Sequence, residues 1–244
     1  MKIKKLLLLM TALALMAVIG LSAYQLQNIN RNYAQEAQMH SRVLRLRPTL
    51  RVDPAAPNEN REILDLQAEF SDVVGWLSIP NTRIDYPFVQ GKDNDFYLHL
   101  DLDQNWAAAG TIFMDYRNNP DFSDFNTILF GHHMQNGSMF GTLQNFDNPA
   151  FFDANRSGTM VLADKTYEIT FFAFAVLTPD DPLIYNPKIE TEADALAFLD
   201  HVKHIARYYR DVGATAESRI ITLSTCNFEF HDARMVLIGK LSEI

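Results

Sequence analysis

A single cysteine in 244 residues excludes an internal disulfide, so any folded domain here is held by packing alone and the thiol of Cys226 is free. Basic residues are the minority: 21 Lys and Arg stand against 30 Asp and Glu, for a formal charge of −9. Setting aside Lys2, Lys4 and Lys5 leaves −12 for residues 24–244, which argues against nucleic acid as a partner. The chain has no phosphate-binding loop, internal repeat or low-complexity block. His201 and His204 have a metal-pair spacing on a helix, but no cysteine or carboxylate cluster lies near them in sequence. They read as helix surface, and neither metal nor cofactor is expected.

One long apolar run is present. Leu6 to Ala23, 18 residues broken only by Thr11, Gly20 and Ser22, follows MKIKK. At about 1.5 Å per residue it crosses most of a ~30 Å hydrocarbon core, and the lysines set an N-inside orientation. Residues 1–5 are thus expected in the cytoplasm, 6–23 in the membrane, 24–60 as a stalk, and 61–244 as one exported domain. The competing reading is a cleaved signal peptide, with Ser22 and Ala23 as a weak cleavage site. The stalk closes on RVDPAAPNEN and is expected to be partly helical near the membrane. Its Arg42, Arg45, Arg47 and Arg51 either rest on an anionic membrane surface or belong to a solvated linker.

From Arg61 the texture is that of a mostly β domain. REILDLQAEF spaces Ile63, Leu64, Leu66 and Phe70 for a short amphipathic helix. Eight short β-like runs follow, from GWLSI to RMVLIGKL, separated by turn signals and without regular helix alternation. That pattern predicts a closed or nearly closed barrel. One helix interrupts it within a long insertion, roughly Pro179 to Val212. Thr191 caps it with Asp194 three residues on, and Leu199, Val202, Ile205, Ala206 and Tyr209 form its apolar stripe before Gly213.

Period-two reading of RIITLSTC puts Thr222, Ser224 and Cys226 on one face, with Ile221, Leu223 and Thr225 on the other. The cysteine therefore shares a polar face. If the strand from Arg234 pairs back as a hairpin, Arg234 comes out opposite Cys226, where a guanidinium favours a thiolate or a developing oxyanion. The third element is FGHHM, in which adjacent His132 and His133 point to opposite faces, so only one can meet Cys226. His231 is the rival base, on a loop where geometry is harder to hold.

These elements, in the order His, Cys, Arg, resemble a class B sortase. TLSTC is similar to that family's cysteine strand and GHHM to its histidine motif; DARMVLIGKL supplies the arginine. VGWLSIPNTRIDYPFVQ, DNDFYLHLD, GTIFMDYRN and GSMFGTLQNF add to the likeness, which spans about Arg61 to Leu241. The resemblance implies an eight-stranded sortase-type β-barrel with an N-terminal helix and a helix inserted between strands six and seven. It implies catalytic His132, Cys226 and Arg234, with Ser224 and Thr225 as substrate contacts. It further implies a membrane-anchored cysteine transpeptidase of Gram-positive bacteria, its catalytic domain outside the cell. Such an enzyme cuts an NPxT-like sorting signal of a surface protein after threonine and joins the new end to a peptidoglycan amine. A pilin-polymerising sortase is the neighbouring alternative.

Two other classes compete. A papain-like or amidase hydrolase places its cysteine before its histidine at a helix start, whereas here the order is reversed and the cysteine ends a strand. An anchored β-rich surface domain with an inert thiol accounts for the composition, but not for His132, Cys226 and Arg234 all falling at strand ends.

Overall fold

The computed structural model describes residues 2–49, 59–226 and 233–244, with the side chains of Lys2 and Cys226 outside the described set. All eight runs with β texture become strands: β1 Val73–Ser78, β2 Asp85–Gln90, β3 Phe113–Met114, β4 Asn126–His132, β5 Ser157–Leu162, β6 Thr166–Leu177, β8 Arg219–Cys226 and β9 Arg234–Glu243. A two-residue strand, β7 Tyr208–Tyr209, is added. The order β5-β1-β2-β3-β4-β8-β9-β6-β7 is closed by a β5–β6 pairing, so eight strands form a barrel and β7 extends β6. Closure removes the exposed edges that a free sheet of this size would carry.

Strand alternation decides what fills the barrel. Leu129 of β4, Ile221 and Leu223 of β8, and Leu237 of β9 join Phe88, Phe171 and Phe174 in the interior, all fully buried. The alternate residues of the same strands, Ile220, Val236 and Ile238, face outward under the insertion, where Phe172 and Ala173 also lie.

The insertion helix α4, Glu192–Ile205, lies between β6 and β8 as expected, and Thr191 Oγ1 accepts from the Asp194 amide at 3.1 Å. Its buried stripe differs from the expected one: Ala195, Phe198 and Val202 face the barrel, while Leu199 and Ile205 pack at the margin. The helix also ends well before Gly213. The edge of β6 beyond its pairing with β5 offers backbone acceptors, and the chain takes them through Arg207 N to Phe174 O and Arg210 N to Phe172 O, both 2.8 Å. Tyr209 is therefore a strand residue, not the end of a helical stripe. In α2, Arg61–Glu69, Ile63 and Leu66 are buried and Leu64 is 40% exposed, which corrects the predicted apolar face.

Of the stretch expected as a stalk, residues 24–43 are helix. Helix α1 runs from Lys2 to Val43, and its N-terminal portion is long and apolar enough to cross a membrane. Its last turns dock on the barrel: Val43 is buried with Ile63, Leu66, Phe70, Tyr97 and Leu102. The His40 ring stacks on Tyr86 at 4.2 Å, and Tyr86 Oη donates to Glu36 at 3.2 Å. Arg42 bonds Glu69 and Asp103, and Arg47 pairs with Asp85. Carboxylates of the acidic domain thus pair with both arginines. Arg45 is exposed and Arg51 lies outside the described residues.

Thermal or urea unfolding separates the predicted helix stripe from the observed one. Phe198→Ala should cost about 3–5 kcal/mol, as for a fully buried aromatic, and Leu199→Ala less than half of that.

Candidate active site

The decisive local feature is a parallel pairing. β4 and β8 lie side by side from Asn126↔Ile220 through Phe130↔Ser224 to His132↔Cys226, so both strands end at one level. Paired residues of parallel strands share a face, which places His132 on the face of position 226. His133 points the other way, with Nε2 at 3.2 Å from Gln144 Oε1 and a backbone bridge to Met139. Alternation thus selects His132 from the HH pair. His231, the rival base, lies outside the described residues.

Arg234 opens β9, which runs antiparallel to β8 with Thr222↔Ile238 and Ser224↔Val236. Two more steps in that register bring position 226 opposite Arg234, as the hairpin reading expected. Arg234 also stands opposite Leu177 of β6, and its Nη1 donates to Thr225 O at 3.3 Å. His132, Cys226 and Arg234 therefore occupy one row across three neighbouring strands, with the outer two backbones roughly 10 Å apart at ~4.8 Å per strand.

The His132 ring is held from outside its strand. Nε2 lies 2.7 Å from the Leu98 carbonyl, which can only accept, so Nε2 carries a proton. The His99 ring stacks against it at 5.3 Å between centroids. Beside this row lies an open cleft of about 270 Å³, bounded by Leu98, Phe113, Phe130, Arg117, Tyr185 and Arg234.

The wall of that cleft is the insertion segment before α4, fixed by polar bonds to the barrel. Tyr185 stacks on Phe130 at 6.1 Å, and its hydroxyl meets Ser224 Oγ at 2.9 Å. Arg117 Nη2 donates to Tyr185 O at 3.0 Å, and Asn126 Nδ2 to Ile184 O at 3.0 Å. Asn126 in turn accepts from Thr222 Oγ1 at 2.8 Å. Asp181 caps this turn and accepts from His201 Nε2 at 2.8 Å, so His201 ties α4 to the cleft wall. Among the described residues, no group of three His, Cys, Asp or Glu is placed to hold a metal.

Ser224 and Thr225, expected as substrate contacts, are both fully buried. The Ser224 hydroxyl is engaged by Tyr185, and Thr225 Oγ1 accepts from Met235 N at 3.1 Å. As placed, they brace the row from beneath and present no surface to a peptide. Sequence reading missed Leu98, His99, Arg117 and Tyr185, whose contacts with the site span from 33 to 68 positions and leave no local pattern.

The sequence model of the sortase domain matches residues 77–242. Sortase B of Listeria monocytogenes is 42% identical over 195 residues, covering 78% of this chain and 79% of that protein. The chain belongs to the sortase family, in class B. The crystal structure of sortase B from B. anthracis superposes with a TM-score of 0.79 at 28% identity, over 88% of this chain and 99% of that one. A Staphylococcus aureus sortase B–substrate complex gives 0.72 at 30% identity, over 77% and 87%. This sortase is accordingly a cysteine transpeptidase with the barrel and inserted helix of its class.

One ion pair at the cleft makes stability depend on pH. Burial pushes the Asp115 carboxyl up, but hydrogen bonds from the Arg117 side chain and amide and from Asn94 outweigh it and hold the group below its ordinary value. A depressed carboxyl pKa stabilises the fold above the ordinary carboxylate range and loses that contribution as pH falls through the lowered value. Asp115→Asn should therefore cost about 1–3 kcal/mol at pH 7 and flatten the acid limb below about pH 4 in urea titrations.

Proposed function

We propose that Cys226 is the nucleophile, His132 the proton carrier and Arg234 the oxyanion donor of a reaction that anchors surface proteins to the cell wall. The observation that carries this reading is the shared row at the ends of β4, β8 and β9. The proposed substrate is an extended C-terminal sorting signal of the NPxT-like type, lying in the cleft between Phe130, Tyr185 and Arg234. The solved Staphylococcus aureus sortase B–substrate complex, on the same fold, supports a substrate held by this barrel.

The Cys226 thiolate adds to the threonyl carbonyl carbon, and the oxygen that gains the electron pair is met by the Arg234 guanidinium. The C–N bond then breaks. His132 gives its proton to the departing amine, leaving a thioester. An incoming amine of a peptidoglycan precursor or cross-bridge adds to the thioester carbonyl, passes its proton to His132, and displaces the thiolate. One peptide bond is exchanged for another, so the balance closes without a nucleotide. Because Nε2–H is given to Leu98, Nδ1 is the nitrogen through which these protons pass. The site tolerates a minority thiolate, since a thiol of ordinary pKa near ~8.5 is still a few per cent ionised at pH 7.

Ser224 and Thr225 act in this scheme by holding Tyr185 and the start of β9 in place. Residues 6–23 form the retained anchor, with residues 1–5 in the cytoplasm and the barrel on the extracellular face. The apolar, exposed first half of α1 supports the span itself.

Mass spectrometry after incubation with an NPxT-bearing peptide tests the assignment. The parent enzyme should carry an acyl adduct on Cys226. Cys226→Ala should carry none, and His132→Ala and Arg234→Ala should lose about 10²–10⁴-fold in its rate of formation. Cleavage that persists in Cys226→Ala would overturn the reading.

A further inference from the structure

His132 is oriented by residues 97–111, and that segment is itself gripped by the end of α1. Within the segment, cross-bonds make one braced unit. Thr111 N donates to Tyr97 O at 3.1 Å, Thr111 Oγ1 to Leu100 O at 2.8 Å, Ala107 N to His99 O at 2.9 Å, and Asp101 N to Asn105 O at 2.9 Å. Gly110 makes the close packing possible: it has a φ of +56°, and a Cβ there would lie 2.3 Å from the Leu98 carbonyl oxygen, the same atom that holds His132 Nε2. At one end of the unit Tyr97 Oη donates to Asp72 at 2.5 Å.

At its middle the segment meets α1. Arg42 Nη1 donates to Asp103 Oδ2 at 2.7 Å, and Val43 is buried in the same apolar cluster as Leu102. Elsewhere the helix and the segment stand apart across an open cleft of about 640 Å³, lined by Gln38, Asp101, Trp106 and Gly110 among others. Tyr97, Leu98, Leu100 and Leu102 share one apolar cluster with Val43, so a shift at Asp103 is passed through that packing and the cross-bonds toward Leu98 and His99.

We infer that the exit end of α1, through Arg42 and Val43, is a positioning element for the His132 imidazole, so the helix that precedes the barrel is part of the catalytic geometry as well as a tether. This inference rests on the proposed role of His132. The physical reason is leverage on a short contact. Displacing a catalytic group by about 1 Å costs on the order of 100-fold in rate, whereas the peptide cleft takes only Leu98 from this segment and its remaining walls, Phe113, Phe130, Arg117, Tyr185 and Arg234, from elsewhere. The Arg42 and Asp103 side chains are 45% and 37% exposed, so losing their pair alone should shift the segment modestly.

The test uses the full chain in detergent micelles and the rate of acyl-enzyme formation with an NPxT-bearing peptide. Arg42→Ala should lower kcat about fivefold, equal to about 1 kcal/mol, with KM within about twofold and an unchanged melting temperature. Arg42→Lys, which keeps the charge beside Asp103, should recover most of the loss. Gly110→Ala, which must push the Leu98 carbonyl, should lose on the order of 100-fold in kcat, again with KM held. Parental kcat in Arg42→Ala, or a loss carried by KM, would overturn the inference. His132→Ala in the same assay separates the two levels. If it retains full activity, the role of His132 itself is wrong; if it is inactive while Arg42→Ala is normal, only the positioning role of α1 falls.

Discussion

The parallel ladder between β4 and β8 is the constraint on which the site depends. Two strands 94 positions apart in register, Asn126 with Ile220 and His132 with Cys226, end together, and the antiparallel return of β9 adds Arg234 to the same row. A slip of one residue in β8 would turn Ile221 and Leu223 out of the barrel interior and carry the cysteine to the wrong face. Core burial and catalytic register are therefore one choice. The fully buried Ile221, Leu223, Leu129 and Leu237 enforce it through the hydrophobic effect, not through any interaction of the catalytic groups themselves.

The outer face of the same ladder is where a barrel becomes an enzyme. Polar residues at alternate positions, Asn126, Thr222 and Ser224, would be costly to bury without partners, and the insertion supplies them through the Ile184 carbonyl and the Tyr185 hydroxyl. Satisfying those groups fixes the wall of the peptide cleft against Phe130. The Asp115–Arg117 pair extends the arrangement, because Arg117 reaches Tyr185 only while Asp115 holds its guanidinium. A buried network that is complete on all sides gives a rigid wall, whereas removing one member leaves an unpaired group and a loose one.

The same economy appears at the other side of His132. Its proton position is set by a backbone carbonyl, which cannot ionise, and its plane by the His99 ring. Both belong to a segment that reaches the end of α1, and docking of that helix begins at Glu36, roughly 20 Å along the axis from the end of the apolar run at Ala23. The barrel thus packs directly on the end of this helix, through contacts at Val43, His40 and Tyr86.

Much of this was legible in the linear chain. Period two in RIITLSTC and NTILFGHH placed the strands, fixed which residues share the face of Cys226, and reduced the histidine question to one of two; turn signals separated eight strands, and Thr191 announced a helix cap. These are local properties, set by the geometry of one strand or one helical turn. The limits of α4 were misread because the β6 edge, distant in sequence, offered Tyr208 and Tyr209 a better set of bonds. The ion pairs of Arg42 and Arg47 were not legible because their carboxylate partners lie from 27 to 61 positions away. The linear chain was enough for the strands, their faces and the candidate His132, Cys226 and Arg234, since alternation and side-chain chemistry travel with each residue. That β4 and β8 are neighbours, which carbonyl holds the imidazole, and that Ser224 and Thr225 are buried came from the folded arrangement alone, because those outcomes depend on which distant segments exclude water together.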